Sequence, residues 1–124
     1  SGDMHAGMDL LEALAERVNM EEMTEGFRTL YQSLFTAIGP KLSEEYYDTG
    51  YQQYYTNRYE EAVENLLLAV KYDASNADAL YHLGEAYRSS GDTENAINTY
   101  DKVIELFPDT QRAKDAQRKK NSLG

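Results

Sequence analysis

Residues 77–110, ADALYHLGEAYRSSGDTENAINTYDKVIELFPDT, decide how the rest of the chain is read. Their apolar positions recur at helical spacing on both sides of the polar turn Ser90-Gly91-Asp92, which describes two short antiparallel helices. Gly84 lies in the middle of the first helix, where a side chain would hold the second away. It costs about 1 kcal/mol relative to alanine, so close packing has to compensate.

The same pattern recurs one unit earlier. Laid without a gap over 77–110, residues 43–76 align Tyr47 with Tyr81, Gly50 with Gly84, Glu60 with Glu94 and Ala62 with Ala96. Apolar character also coincides at Tyr46 and Leu80, Val63 and Ile97, Leu66 and Tyr100, Ala69 and Val103, and Val70 and Ile104. The polar turn of this unit is Thr56-Asn57-Arg58. Self-similarity at a fixed period of this kind is the mark of a repeat array, in which each unit buries its apolar face against its neighbours.

Leu80-x-x-Leu83-Gly84-x-x-Tyr87, followed by Ala96-x-x-x-Tyr100 and Pro108, resembles the tetratricopeptide repeat, a 34-residue helix-turn-helix unit. Residues 43–76 look like a more degenerate copy, with Thr49, Gln53 and Ala74 where the later unit has Leu83, Tyr87 and Pro108. The resemblance implies an all-α fold, a right-handed stack of helix pairs. It also implies a non-catalytic scaffold for protein–protein interaction. A looser similarity, resting on architecture and on Phe107-Pro108-Asp109-Thr110 leading into Ala113 and Ala116, is to C-terminal domains of envelope-associated bacterial proteins of the YbgF/CpoB kind.

Upstream, Met4, Met8, Leu11, Ala15 and Val18 form one helical stripe, and Met20, Met23, Phe27, Leu30, Leu34 and Ala37 form a second, out of step with it. This predicts helices at about 5–18 and 20–38, with Asn19 capping the second and Gly39-Pro40 ending it; one kinked helix is the alternative. Residues 1–42 are thus expected as a helical segment that packs on or extends the array, and 43–124 as two repeat units plus a capping helix in a single structural domain. Residues 111–124 carry five basic residues and one acidic, whereas 43–76 and 77–110 each carry seven acidic and two basic. They read as a solvated capping helix, with Asp109 available as its cap.

Composition narrows the function. The net charge of −10 repels phosphate backbones, so nucleic acid is not an expected partner. With no cysteine there is no disulfide framework and no thiolate site, and the compartment is left open. No apolar run approaches a membrane span, so this fragment is not expected to insert directly. The chain begins Ser1-Gly2-Asp3 and reads as a piece of a longer protein. His5 and His82 form no ligand pair, and no phosphate loop or nucleophile elbow is present. Neither a cofactor nor a metal is called for, and no residue stands out as catalytic.

Six of the eleven tyrosines fall between Tyr46 and Tyr59. With Tyr46, Gly50 and Gln53 turned toward the paired helix, the opposite side carries Glu44, Tyr47, Tyr51, Tyr54 and Tyr55. The next unit presents Asp78, Tyr81, Glu85, Arg88 and Ser89. The resemblance implies that this side lines a groove for a peptide or helix, here of basic character. Chaperone-docking members hold a carboxylate there with Lys and Asn, and Tyr and Glu in their place argue against that mode. Two other roles stay open: Tyr47, Tyr51 and Tyr54 receiving Phe27, Leu30, Leu34 and Phe35, and self-association into a homo-oligomer through residues 4–38.

Overall fold

The computed structural model describes Met8, Asp9, Glu12 and residues 25–123. The helix expected at about 5–18, the Asn19 cap and the start of the helix expected at 20 lie outside the described residues. Two compact units are formed, Ser1–Leu42 and Ser43–Gly124. Five helices run along the described chain: α1 Glu25–Tyr55, α2 Tyr59–Tyr72, α3 Ala77–Ser89, α4 Thr93–Leu106 and α5 Gln111–Leu123. Among the described residues there is no strand.

The helix does not stop at Gly39-Pro40. It passes through Pro40 and continues to Tyr55, so the division between the units falls inside α1. Proline removes one backbone donor and crowds the carbonyl four residues back, at roughly 3 kcal/mol. Beyond it, however, the backbone is anchored independently. Ser43 is fully buried, its hydroxyl donates to the Ala69 carbonyl at 2.6 Å, and it accepts from Asn76 Nδ2 at 3.0 Å. In the first unit the described members of the stripe expected at 20–38 are not buried: Phe27 and Leu34 are half-buried, Ala37 is exposed and Leu30 is 53% exposed. Tyr31 and Phe35 stack with centroids 6.3 Å apart.

In Ser43–Gly124 the two expected repeats are present as helix pairs, and both glycines mark close crossings. A Cβ on Gly50 would stand 2.8 Å from Leu66 Cγ, and one on Gly84 would stand 2.7 Å from Tyr100 Cε1. Leu66 and Tyr100 are equivalent positions of the two units, so both pairs cross in the same register. Tyr46 stacks on Tyr72 at 5.6 Å, and Asn65 Nδ2 donates to Gln53 Oε1 at 2.8 Å, which fixes the paired side of the first crossing. Ala62, Leu66, Leu80, Leu83, Ala86, Ala96, Tyr100, Val103 and Ala116 form the continuous core.

Local signals set the helix ends. Asn76 accepts from the Ala79 N–H, and Asp92 from that of Asn95, satisfying donors that have no intrahelical partner. The α5 cap is Thr110, whose hydroxyl accepts from the Ala113 N–H at 3.2 Å, and not Asp109. Asp109 instead takes φ +66° in the connection, leaving the next residue in position to cap.

Candidate functional site

The face of α1 and α3 turned away from their partner helices is a band of aromatic rings and carboxylates. On α1, residues at three- and four-residue spacing stack along the helix. Tyr47 and Tyr51 lie 5.8 Å apart, Tyr51 and Tyr55 4.6 Å, and Tyr54 stands edge-on to Tyr55 at 5.0 Å. Tyr51 and Tyr55 remain 39% and 62% exposed, Tyr47 and Tyr54 are half-buried, and Glu44 is exposed.

On α3 Asp78 is exposed, but the residues that follow it on this face are drawn inward. Tyr81 and Glu85 are buried, and Arg88 is half-buried. The Glu85 carboxylate accepts from the Tyr100 hydroxyl, from Arg88 Nη2 at 3.1 Å and from the Tyr54 hydroxyl at 3.4 Å, with Lys119 Nζ at 3.7 Å. Burial pushes its pKa up, but the hydrogen bonds from Tyr100 and Arg88 and the nearby cations outweigh that, so the carboxyl titrates below its ordinary range. The Tyr100 hydroxyl is pushed well up, by burial first and then by Glu85.

His82 fills the centre of the band. Its ring meets Tyr51 at 5.2 Å, Tyr81 at 5.4 Å, Tyr47 at 5.6 Å and Tyr54 at 6.2 Å, mostly edge to face. The Asp78 carbonyl lies 2.9 Å from Nδ1 and can only accept, so Nδ1 carries the proton and the Tyr47 oxygen at 3.4 Å is a second, weaker acceptor. Burial lowers the imidazole pKa, against a smaller raising effect from the Asp78 carbonyl.

The tail closes the far side of the band. α5 begins one 34-residue period after α3, so Arg112, Asp115 and Lys119 continue the rows of Asp78, Tyr81 and Glu85. Arg112 Nε donates to Asp78 Oδ1 at 2.8 Å, and its guanidinium carbon lies 4.7 Å over the Tyr81 ring. Burial and then Asp78 and Glu85 respectively push the Tyr47 and Tyr81 hydroxyls up to about 12, so both stay protonated donors at neutral pH.

Ring contacts and hydrogen bonds thus join Tyr47, Tyr51, Tyr54 and Tyr55 on α1 to Asp78, Tyr81, Glu85 and Arg88 on α3, largely through His82 and the Glu85 carboxylate, whereas Glu44 shares the α1 face only by its helical spacing. From the sequence His82 is read as bordering a helix contact and not as a metal ligand, in keeping with its burial among the tyrosines, whereas Arg112 and Lys119 are not singled out. Continuing the period past residue 110 would have found these two. A second concavity of about 730 Å³ lies between α2, α3 and α4, lined by Leu67, Val70, Leu80, Leu83, Tyr87 and Leu106 among others. Among the described residues no cluster of His, Asp or Glu could hold a metal ion, and no helix is long and apolar enough to cross a membrane.

Known proteins agree with the helix pairs. Residues 47–110 match the family profile of the tetratricopeptide repeat. A 63-residue stretch is 36% identical to outer envelope protein 61 of Arabidopsis thaliana, covering 51% of this chain and 11% of that protein. The likeness therefore extends over a small part of that relative's length. Repeats of this family are typically non-catalytic modules of protein–protein interaction. With the two crossings at Gly50 and Gly84 in register and the profile running through both, the chain belongs to the tetratricopeptide repeat family.

Proposed function

We propose that residues 43–124 are a non-catalytic binding module whose tyrosine-lined, acidic face takes a peptide or helix of basic character. The observation that carries this is the exposure of Tyr51 and Tyr55, 39% and 62%, on a face where the next unit buries Tyr81 and Glu85. Tyrosine suits such a surface because it offers large contact area at low entropic cost and keeps a hydroxyl for hydrogen bonding. Glu44 and Asp48 are exposed beside the ladder, and with the overall charge of −10 they favour cationic partners and speed their encounter. Glu85 and Arg88 act as support: their carboxylate–guanidinium pair holds Tyr54 from behind.

The test is an array of synthetic peptides of matched length and aromatic content, one half rich in Lys and Arg and the other in Asp and Glu. The wild-type protein is expected to retain basic members over acidic ones, and the double substitution Tyr51→Ala, Tyr55→Ala to weaken that retention by about tenfold. Retention by the double variant equal to wild type sinks the assignment.

A further inference from the structure

The chain already contains one example of how this face holds a cation. Asp78 and Tyr81 stand one turn apart on α3, and the next helix lays Arg112 across them, with Nε on the Asp78 carboxylate at 2.8 Å and the guanidinium 4.7 Å above the Tyr81 ring. One period earlier, Glu44 and Tyr47 repeat the acid-and-tyrosine pair at the same spacing on α1. The registers are the same, because Gly50 and Gly84 meet Leu66 and Tyr100 in the same way. The third member is missing there. The residue one period before Arg112 is Asp78, an acid, so no guanidinium stands at the equivalent position of the earlier pair, although the charges of Asp78 and Arg112 both act on the Tyr47 hydroxyl. Glu44 is exposed, and among the described residues it makes no ion pair.

We propose that Glu44 and Tyr47 form an arginine-binding subsite, in which a guanidinium from a partner peptide lies against the Tyr47 ring and donates to the Glu44 carboxylate, as Arg112 does at Tyr81 and Asp78. The proposal rests on the reading of this face as a peptide-binding surface and names the side chain it selects. Arginine is favoured over lysine for physical reasons. The planar guanidinium is weakly hydrated, stacks on an aromatic ring and donates in its own plane at the same time; an ammonium is strongly hydrated and can only be placed as a point charge. Asp48, exposed one turn beyond Glu44, adds a second negative charge at the rim.

Fluorescence anisotropy decides the matter, using a short labelled glycine–serine peptide with spaced arginines and two analogues carrying lysine or the uncharged isostere citrulline. At fixed ionic strength the arginine peptide should bind about fivefold more tightly than the lysine peptide, with citrulline weaker than both. Glu44→Gln, a surface change that should leave the melting temperature unaltered, is expected to abolish the preference for arginine. Tyr47→Leu should do the same and Tyr47→Phe should keep it. Equal binding of arginine and lysine by the wild type overturns the proposal, as does a preference that survives in Glu44→Gln. In either case, if Tyr51→Ala with Tyr55→Ala still weakens both peptides, the broader binding surface stands and only the arginine subsite falls. If no peptide binds, both fall together.

Discussion

The two repeats share a backbone plan but use the same face in opposite ways. In the later unit the row positions Tyr81 and Glu85 are buried, and Glu85 gathers Tyr100, Arg88, Tyr54 and Lys119 around one carboxylate. In the earlier unit the position of Glu85 is held by Tyr51 and that of Tyr100 by Leu66, so no buried carboxylate gathers partners there and the tyrosine is left 39% exposed. A repeat therefore does not dictate what its outward face is for. One copy can commit that face to cohesion between helices while its neighbour keeps it open for a partner.

Substituting the same row position in each unit is the most direct way to break this contrast. Glu85→Ala leaves the fully buried Tyr100 hydroxyl without an acceptor and two cations without their shared carboxylate. A loss of about 3 kcal/mol in urea unfolding at neutral pH is expected, most of it from the orphaned hydroxyl because both cations are partly solvated. Tyr51→Ala removes ring contacts to Tyr47, Tyr55 and His82 from a position that water already reaches, and should cost about 1 kcal/mol. Equal losses would show that the earlier face is as structural as the later one.

The period was legible because packing demands it. At Gly50 and Gly84 a Cβ would come within 3 Å of Leu66 and Tyr100, so any side chain would push the buried partner aside, and the polar turns fall at the expected positions. What failed were rules that look at one or two residues at a time. Gly39-Pro40 reads as a stop, but the anchoring of Ser43 to Ala69 and Asn76 lies 26 and 33 residues away in sequence. Asp109 and Thr110 are both good caps, and the choice between them depends on a backbone angle. The site divides in the same way: the ladder of Tyr47, Tyr51 and Tyr55 follows from helical spacing, whereas the burial of Tyr81 and Glu85 depends on Arg112 and Lys119, which arrive from a different helix.

Titration sharpens the contrast at a second pair of equivalent positions, His82 in the later unit and Asp48 in the earlier. The buried imidazole has its pKa lowered from 6.5, so the unfolded chain binds its proton first. Stability contributed by neutral His82 is therefore fully present above pH 6.5 and is lost as the pH falls through the lowered folded value. Glu85 adds a separate loss, beginning below 4.5, because its folded pKa is lowered too. Urea midpoints measured between pH 7.5 and 5 should fall for the wild type and stay flat over the upper part of that range for His82→Gln. Asp48→Asn, at an exposed position, should leave the upper window as it is in the wild type. A wild-type midpoint that does not change between pH 7.5 and 5 would mean the ring is not shielded by its tyrosines.

The smallest effects are expected where the units are interchangeable, at the turn between their helices. Asn57 and Gly91 are equivalent, with φ of 64° and 89°, and the hydrogen bonds around them match. Asn57 N–H donates to the Tyr54 carbonyl and Arg58 N–H to that of Gln53; Gly91 N–H donates to Arg88 and Asp92 N–H to Tyr87. Each first helix thus closes on the same left-handed residue with the same paired backbone bonds. No atom lies near a Cβ built on Gly91, so only backbone preference opposes a side chain there. Asparagine tolerates this region and alanine does not, so Gly91→Asn should change unfolding free energy by a few tenths of a kcal/mol and Gly91→Ala by about 1 kcal/mol. Asn57→Gly gives up the acceptor for the Tyr59 hydroxyl, an exposed bond at 2.7 Å, and should likewise cost a few tenths. If both exchanges are nearly silent while Glu85→Ala and Tyr51→Ala differ by about 2 kcal/mol, the divergence between the repeats resides in side chains on one face and the backbone period is common to both. A large effect at either turn would instead place part of that divergence in the loops, and the alignment of Glu44 and Tyr47 with Asp78 and Tyr81 would lose its structural basis.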